Sequence, residues 1–157
     1  MKASTTNFRI MRKEEIIIKK VDGKTPYLSD LIENIPTNTI LSKTLTGLGA
    51  TYLELKAKRN SVIIEPNVPV IKGKCAAKEH KKDNLFGVYK SVKKEDILNY
   101  IDNSEGRFLK ILTTPESFGR VCNALNESEI DIRFNCFLLF DECHKIIKDS
   151  DFRPNIS

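Results

Sequence analysis

The chain has 157 residues, 40% of them apolar, and a net charge of +5 from 26 basic and 21 acidic side chains. That length and apolar content suit one globular domain with a proper core, spanning residues 1–157, and no low-complexity run argues otherwise. Apolar runs such as "EIIIKK" and "FLLF" are too short to cross a bilayer, and the amino terminus lacks a signal peptide's pattern. The expectation is a soluble, cytoplasmic protein with no membrane partner.

In chain order, "EEIIIKKV" (residues 14–21) predicts a strand and "PYLSDLIENI" a helix with apolar spacing at Leu28, Leu31, Ile32 and Ile35. "NTILSK" (residues 38–43) predicts a second strand, followed by a glycine loop and a helix from about Thr51 to Arg59. "SVIIEP" reads as a buried strand ended by Pro66, and a lysine-rich helical region follows. "LFGVYK" is a further strand and "KKEDILNYIDN" a helix, with Ile97, Leu98 and Ile101 at helical spacing. "RFLKILTT" is another strand, after which Thr114 and Pro115 suit the cap and first turn of a helix running to about Asn126. "NCFLLFDE" is the last clear strand. Strands separated by helices of this length predict an α/β fold of three layers, a mostly parallel sheet with helices on both faces. In such sheets ligands gather at the carboxyl ends of the strands.

Two motifs fall there. In "TLTGLGAT", Gly47 and Gly49 allow the backbone to wrap a phosphate, and the hydroxyl of Thr51 suits a magnesium ion. A bare pair of glycines after a strand also makes an ordinary tight turn. In "FLLFDECHK", an apolar strand ends in Asp141 and Glu142, one carboxylate suited to magnesium and one to orienting or deprotonating a water. The same acids would also suit the start of a helix. Between Lys72 and Lys94 there are eight lysines and two acids, a charge balance that can neutralise nucleic-acid phosphates and that a solvated helix face also carries. The four cysteines, Cys75, Cys122, Cys136 and Cys143, form no CxxC pair. They read as reduced thiols, and a zinc site with His80 and His144 lacks the short paired spacing such sites show.

Taken together, "TGLGAT", "VIIEPNVPVI", "ILTTPESF" and "DECH" occur in an order that resembles the first nucleotide-binding domain of the DEAD/DEAH-box, superfamily 2 helicases, a RecA-like P-loop NTPase. The resemblance spans Ile40 to about Ile147. It implies that Lys43, Thr46, Gly47, Gly49, Ala50 and Thr51 surround the phosphates of ATP, that Thr51 and Asp141 hold Mg2+, and that Glu142 polarises the attacking water. It further implies that Pro66, Asn67, Lys72, Lys74, Thr114 and Pro115 lie near the backbone of bound DNA or RNA, and that His144 couples the site to a partner domain.

Two features depart from that pattern. Ala50 stands where the family's loop lysine meets the terminal phosphates, with Lys43 just upstream as the nearest substitute, and the family's second helicase domain is not in this chain. The resulting expectation is the amino-terminal domain of a helicase-like NTPase, incomplete for catalysis alone. The alternative is a nucleic-acid-binding or regulatory module with a degenerate nucleotide site. Restoring lysine at position 50 is expected to strengthen ATP binding.

Overall fold

Four short strands, all parallel, set the frame of the computed structural model, which describes residues 15, 20, 22–42 and 47–145. They are β1 (Ser61–Ile64), β2 (Leu85–Val88), β3 (Lys110–Thr113) and β4 (Phe137–Phe140), in the order β2-β3-β1-β4. Every residue of β1 and β3 is buried, the signature of central strands covered on both faces. Ser61 is aligned with Lys110 on one side and with Phe137 on the other.

The α-helices among the described residues are α1 (Ala50–Lys56), α2 (Val68–Ala76), α3 (Lys94–Asp102), α4 (Phe118–Glu127) and the single turn α5 (Ile132–Asn135). Side chains alternate across a strand, so successive residues serve opposite layers. Val62, Val88 and Ile111 pack with Ile97 of α3 and with Val121, Ala124 and Leu125 of α4. Ile63 and Leu112 face the other way, against Leu55 of α1 and Ile71 of α2. The three-layer α/β arrangement expected from the alternation of strands and helices is the one observed. Beside α1, Leu28, Ile35, Leu48, Ala50 and Leu53 form a second apolar cluster over Phe137 and Leu139 of β4.

The early elements differ from expectation. The predicted helix at Leu28 to Ile35 is a single 3-10 turn, Leu28–Asp30, although both end residues are buried. Ile35 precedes Pro36, which disfavours helical backbone just before it. The strand read in "NTILSK" is absent over residues 38–42, which form a turn and irregular chain with Ile40 76% exposed. Asn38 turns the chain with a φ of 53°. Ile40 and Leu41 are neighbours that an extended strand would send to opposite faces, each needing its own layer. The strand read in "EEIIIKKV" lies outside the described residues, apart from Glu15 and Lys20.

The amino ends of the strands are closed by charge. Lys110, 2% exposed, donates to the carbonyls of Glu54 and Ala57 at 2.8 Å each and to Ser61 Oγ at 3.0 Å. Glu54, with no exposed surface, accepts from Ser61 Oγ at 2.5 Å and from two nitrogens of Arg59 at 2.9 and 2.5 Å. A buried ion is tolerated only when its hydrogen bonds are made, and these are.

Candidate functional site at the carboxyl ends of the strands

Gly49 stands at the amino end of α1 with φ 76° and ψ 32°, left-handed geometry that a side chain would strain. Gly47 has the same φ. The turn aims α1 so that Thr51, one residue into the helix, faces the end of β4. There Thr51 Oγ1 donates to Asp141 Oδ2 at 2.5 Å, across 90 residues of sequence. Asp141 Oδ1 accepts from the Glu142 amide at 2.9 Å, and the Asp141 amide reaches the Ile64 carbonyl at 3.0 Å, which extends the β1–β4 pairing by one bond. The glycine loop and the acid box therefore meet at one edge of the sheet.

A third element reaches the same place. Glu65 follows β1 directly and is 2% exposed. The Lys74 ammonium forms a hydrogen-bonded ion pair with Glu65 Oε1 and lies 3.8 Å from Asp141 Oδ2. Lys74 sits in the last turn of α2, whose start adjoins this edge, and helical side chains lean toward the helix start. That lean carries the ammonium back to the carboxyl ends. Burial pushes the Glu65 carboxyl above its ordinary value, Lys74 pulls it down, and Asp141 and Glu142 push it up again. Neither Glu65 nor this use of Lys74 was anticipated from the sequence. An acid closing a fully apolar strand, "VIIE", was the available signal, because a carboxylate there needs a cation.

The other predicted residues are placed as follows. Lys43 and Thr46 lie outside the described residues. Ala50 is 6% exposed within the apolar cluster of Leu28, Leu48 and Leu53, so a lysine there would begin inside that cluster. The alanine side chain at position 50 belongs to that apolar cluster. Glu142 is exposed, has a φ of 50°, and accepts from Lys145 Nζ at 2.6 Å. His144 and Cys143 are exposed. Pro66, partly exposed, and Asn67, exposed, follow Glu65, with Asn67 at the N-cap position of α2 but making no side-chain capping bond. Thr114 is buried, with its amide on the Val88 carbonyl at 3.2 Å, while Pro115 is partly exposed. Lys72 lies 5.0 Å over the Tyr89 ring, beside an open groove of about 590 Å³ lined by Ile71, Cys75, Phe86 and Gly87. Phe86 has one face against Tyr100, ring centres 4.6 Å apart.

Magnesium takes hard oxygens and usually one or two protein ligands, the rest being water and phosphate. The Thr51 hydroxyl and the Asp141 carboxylate fit that description, and their contact at 2.5 Å puts both at one point. Among the described residues no group of three His, Cys, Asp or Glu side chains is arranged for a metal, and His80 is spent on Asp83 at 2.7 Å.

No family model matches the chain, and no curated protein or solved structure matches it, so the case for its chemistry lies in its own geometry. None of the helices among the described residues is long and apolar enough to cross a membrane.

Proposed function

We propose that this domain binds the phosphates of a nucleoside triphosphate such as ATP at the carboxyl ends of β1 and β4, as the front domain of a helicase-like NTPase that also contacts DNA or RNA. The observation that carries this reading is the hydrogen bond from Thr51 to Asp141, which joins a glycine turn to the acid that ends an apolar strand. Thr51 and Asp141 would hold the metal, whose contribution when bound is to neutralise phosphate charge. Among the described residues, Gly47 has open space where a side chain would stand, while the ring of Tyr27 lies beside Gly49. Asp141 fixes the Thr51 hydroxyl, and Asn67, Lys72 and Pro115 offer surface to a polynucleotide backbone.

Hydrolysis by this domain alone is expected to be slow. Glu142, the candidate for orienting water, is held by Lys145 at the surface. Burial of Ala50 favours the second reading, a module that binds nucleotide or nucleic acid without turnover.

Calorimetric titration with Mg-ATP tests the site. Measurable binding, weakened about tenfold by either Thr51→Val or Asp141→Asn, is the expected result. Binding that ignores both substitutions sinks the reading. Single-stranded oligonucleotide should bind through roughly three to five phosphates, so log affinity should fall against log salt with a slope of about −2 to −4.

A further inference from the structure

We propose that Lys74 is the fixed cation of the phosphate site, supplied from α2 in place of the loop lysine that Ala50 cannot provide. The inference rests on the phosphate-binding reading and names the group that meets the phosphate charge.

Three observations converge. Position 50 carries no cation, and the side chain there, Ala50, is packed with Leu28, Leu48 and Leu53. Among the described residues, Lys74 is the lysine whose ammonium reaches the Thr51–Asp141 pair, 3.8 Å from the very oxygen that accepts from Thr51. It is also held in place: Glu65, buried at the end of β1, takes one of its three N–H donors and fixes the ammonium at the strand ends.

The charge balance gives the arrangement a direction. Glu65 is the counter-charge that anchors Lys74, and Asp141, beyond hydrogen-bond range, is a partner the ammonium can release. With Glu65 holding one donor, the other two would be available to phosphate oxygens, and a cation held by Asp141 would take the place of the looser ion pair. Removing the ammonium has two effects of opposite sign. A divalent ion should bind Asp141 more tightly, because a positive charge has left its surroundings, while a polyphosphate should bind less tightly, because its donor has gone. A general loss of structure would weaken both.

The experiment uses inorganic triphosphate with magnesium, and separately manganese ion alone, as calorimetric probes of the full chain. Lys74→Gln by itself strands Glu65 in a buried site, so Glu65→Gln/Lys74→Gln is the principal variant, with a neutral pair in place of the charged one. The expected result is triphosphate affinity lowered about ten- to a hundredfold with manganese affinity not lowered, because the ammonium and the Glu65 carboxylate leave together and Asp141 keeps its charge. Glu65→Gln alone keeps the ammonium and should bind triphosphate at least as well as the natural chain. Triphosphate binding unchanged in the double variant but weakened in Thr51→Val overturns the role of Lys74 and leaves the phosphate site standing. Failure of the natural chain to bind triphosphate overturns both.

Discussion

At the amino ends of β1 and β3, Glu54, Arg59, Ser61 and Lys110 are sealed together, whereas at the carboxyl ends of β1 and β4 Thr51, Glu65, Lys74 and Asp141 stand partly open. Both clusters join a helix to the strand ends through acids and lysines, and α1 contributes to each, Thr51 to one and Glu54 to the other. In the sealed cluster the Lys110 ammonium has three acceptors within 3.0 Å, so no donor is left for anything else. In the open cluster Lys74 has one hydrogen bond and one looser ion pair. Saturated buried charge specifies how elements sit, while unsaturated charge at an accessible edge can change partners.

The contrast can be broken most severely at Glu54. Glu54→Ala leaves Arg59 and the Ser61 hydroxyl without the carboxylate they share, and removing one partner of a buried ion pair costs about 3–5 kcal/mol. Urea denaturation should show that loss, with triphosphate affinity of the folded fraction unchanged. A loss below about 1 kcal/mol, the size of an exposed pair, would mean that the amino-end cluster is not the lock described.

Lys110 sharpens the comparison through pH. Burial pushes its ammonium from an ordinary 10.5 down to about 8, with Glu54 opposing the shift and Arg59 adding to it. Between pH 8 and 10.5 the unfolded chain holds a proton that the folded chain has released, so this residue's contribution to stability grows as pH rises through that window. Cys136 works in the other direction, since burial raises its thiol from 9.0 to about 11 and favours the folded state less as pH climbs above 9. Subtracting the profile of Lys110→Met from that of the natural chain isolates the lysine. The difference should rise by about 1–3 kcal/mol across that window, because a tenfold change in proton affinity is worth roughly 1.4 kcal/mol. A flat difference would place the ammonium in water.

Gly87→Ala tests whether the open end depends on packing beneath it. A Cβ at Gly87 would lie 2.7 Å from Ile71 Cγ2, in the helix that carries Lys74. Overpacking of this kind costs about 1–3 kcal/mol. Here stability and triphosphate affinity should fall together, unlike the result at Glu54. The smallest effect belongs to Thr51→Val, which removes one partly buried hydrogen bond and should cost about 1 kcal/mol in stability, while weakening triphosphate binding clearly.

The strands of the sheet were legible because β1, β3 and β4 are short apolar runs bounded by turn residues or charges, and α4 because Thr114 and Pro115 mark a helical start, although the first turn there, Pro115–Ser117, is 3-10 and α4 begins at Phe118. The early chain was less so. "NTILSK" has strand-like composition, but whether Ile40 and Leu41 find a layer on each side is a tertiary matter. Similarly, "TGLGAT" and "DECH" declared a shared edge that the structure brings together, but the partners of Lys74 and Lys110 are set by strand order rather than by spacing. The lysine-rich composition around Lys74 gives no sign that its ammonium pairs with Glu65. Lys110 interrupts "RFLKILTT" without any local sign of the carbonyls of Glu54 and Ala57 that receive it.

The contact between Thr51 and Asp141 also has a history within each molecule, since it closes a loop of some 90 residues. Long closures are entropically late, and β4 can pair only with a β1 that is already in place. On a ribosome moving at roughly 5–20 residues per second, the glycine turn would wait about 5–18 seconds for its acid to be synthesised. The site is therefore expected to form no earlier than the β1–β4 pairing, and in a refolding experiment triphosphate binding should not recover before the far-ultraviolet signal of the helices.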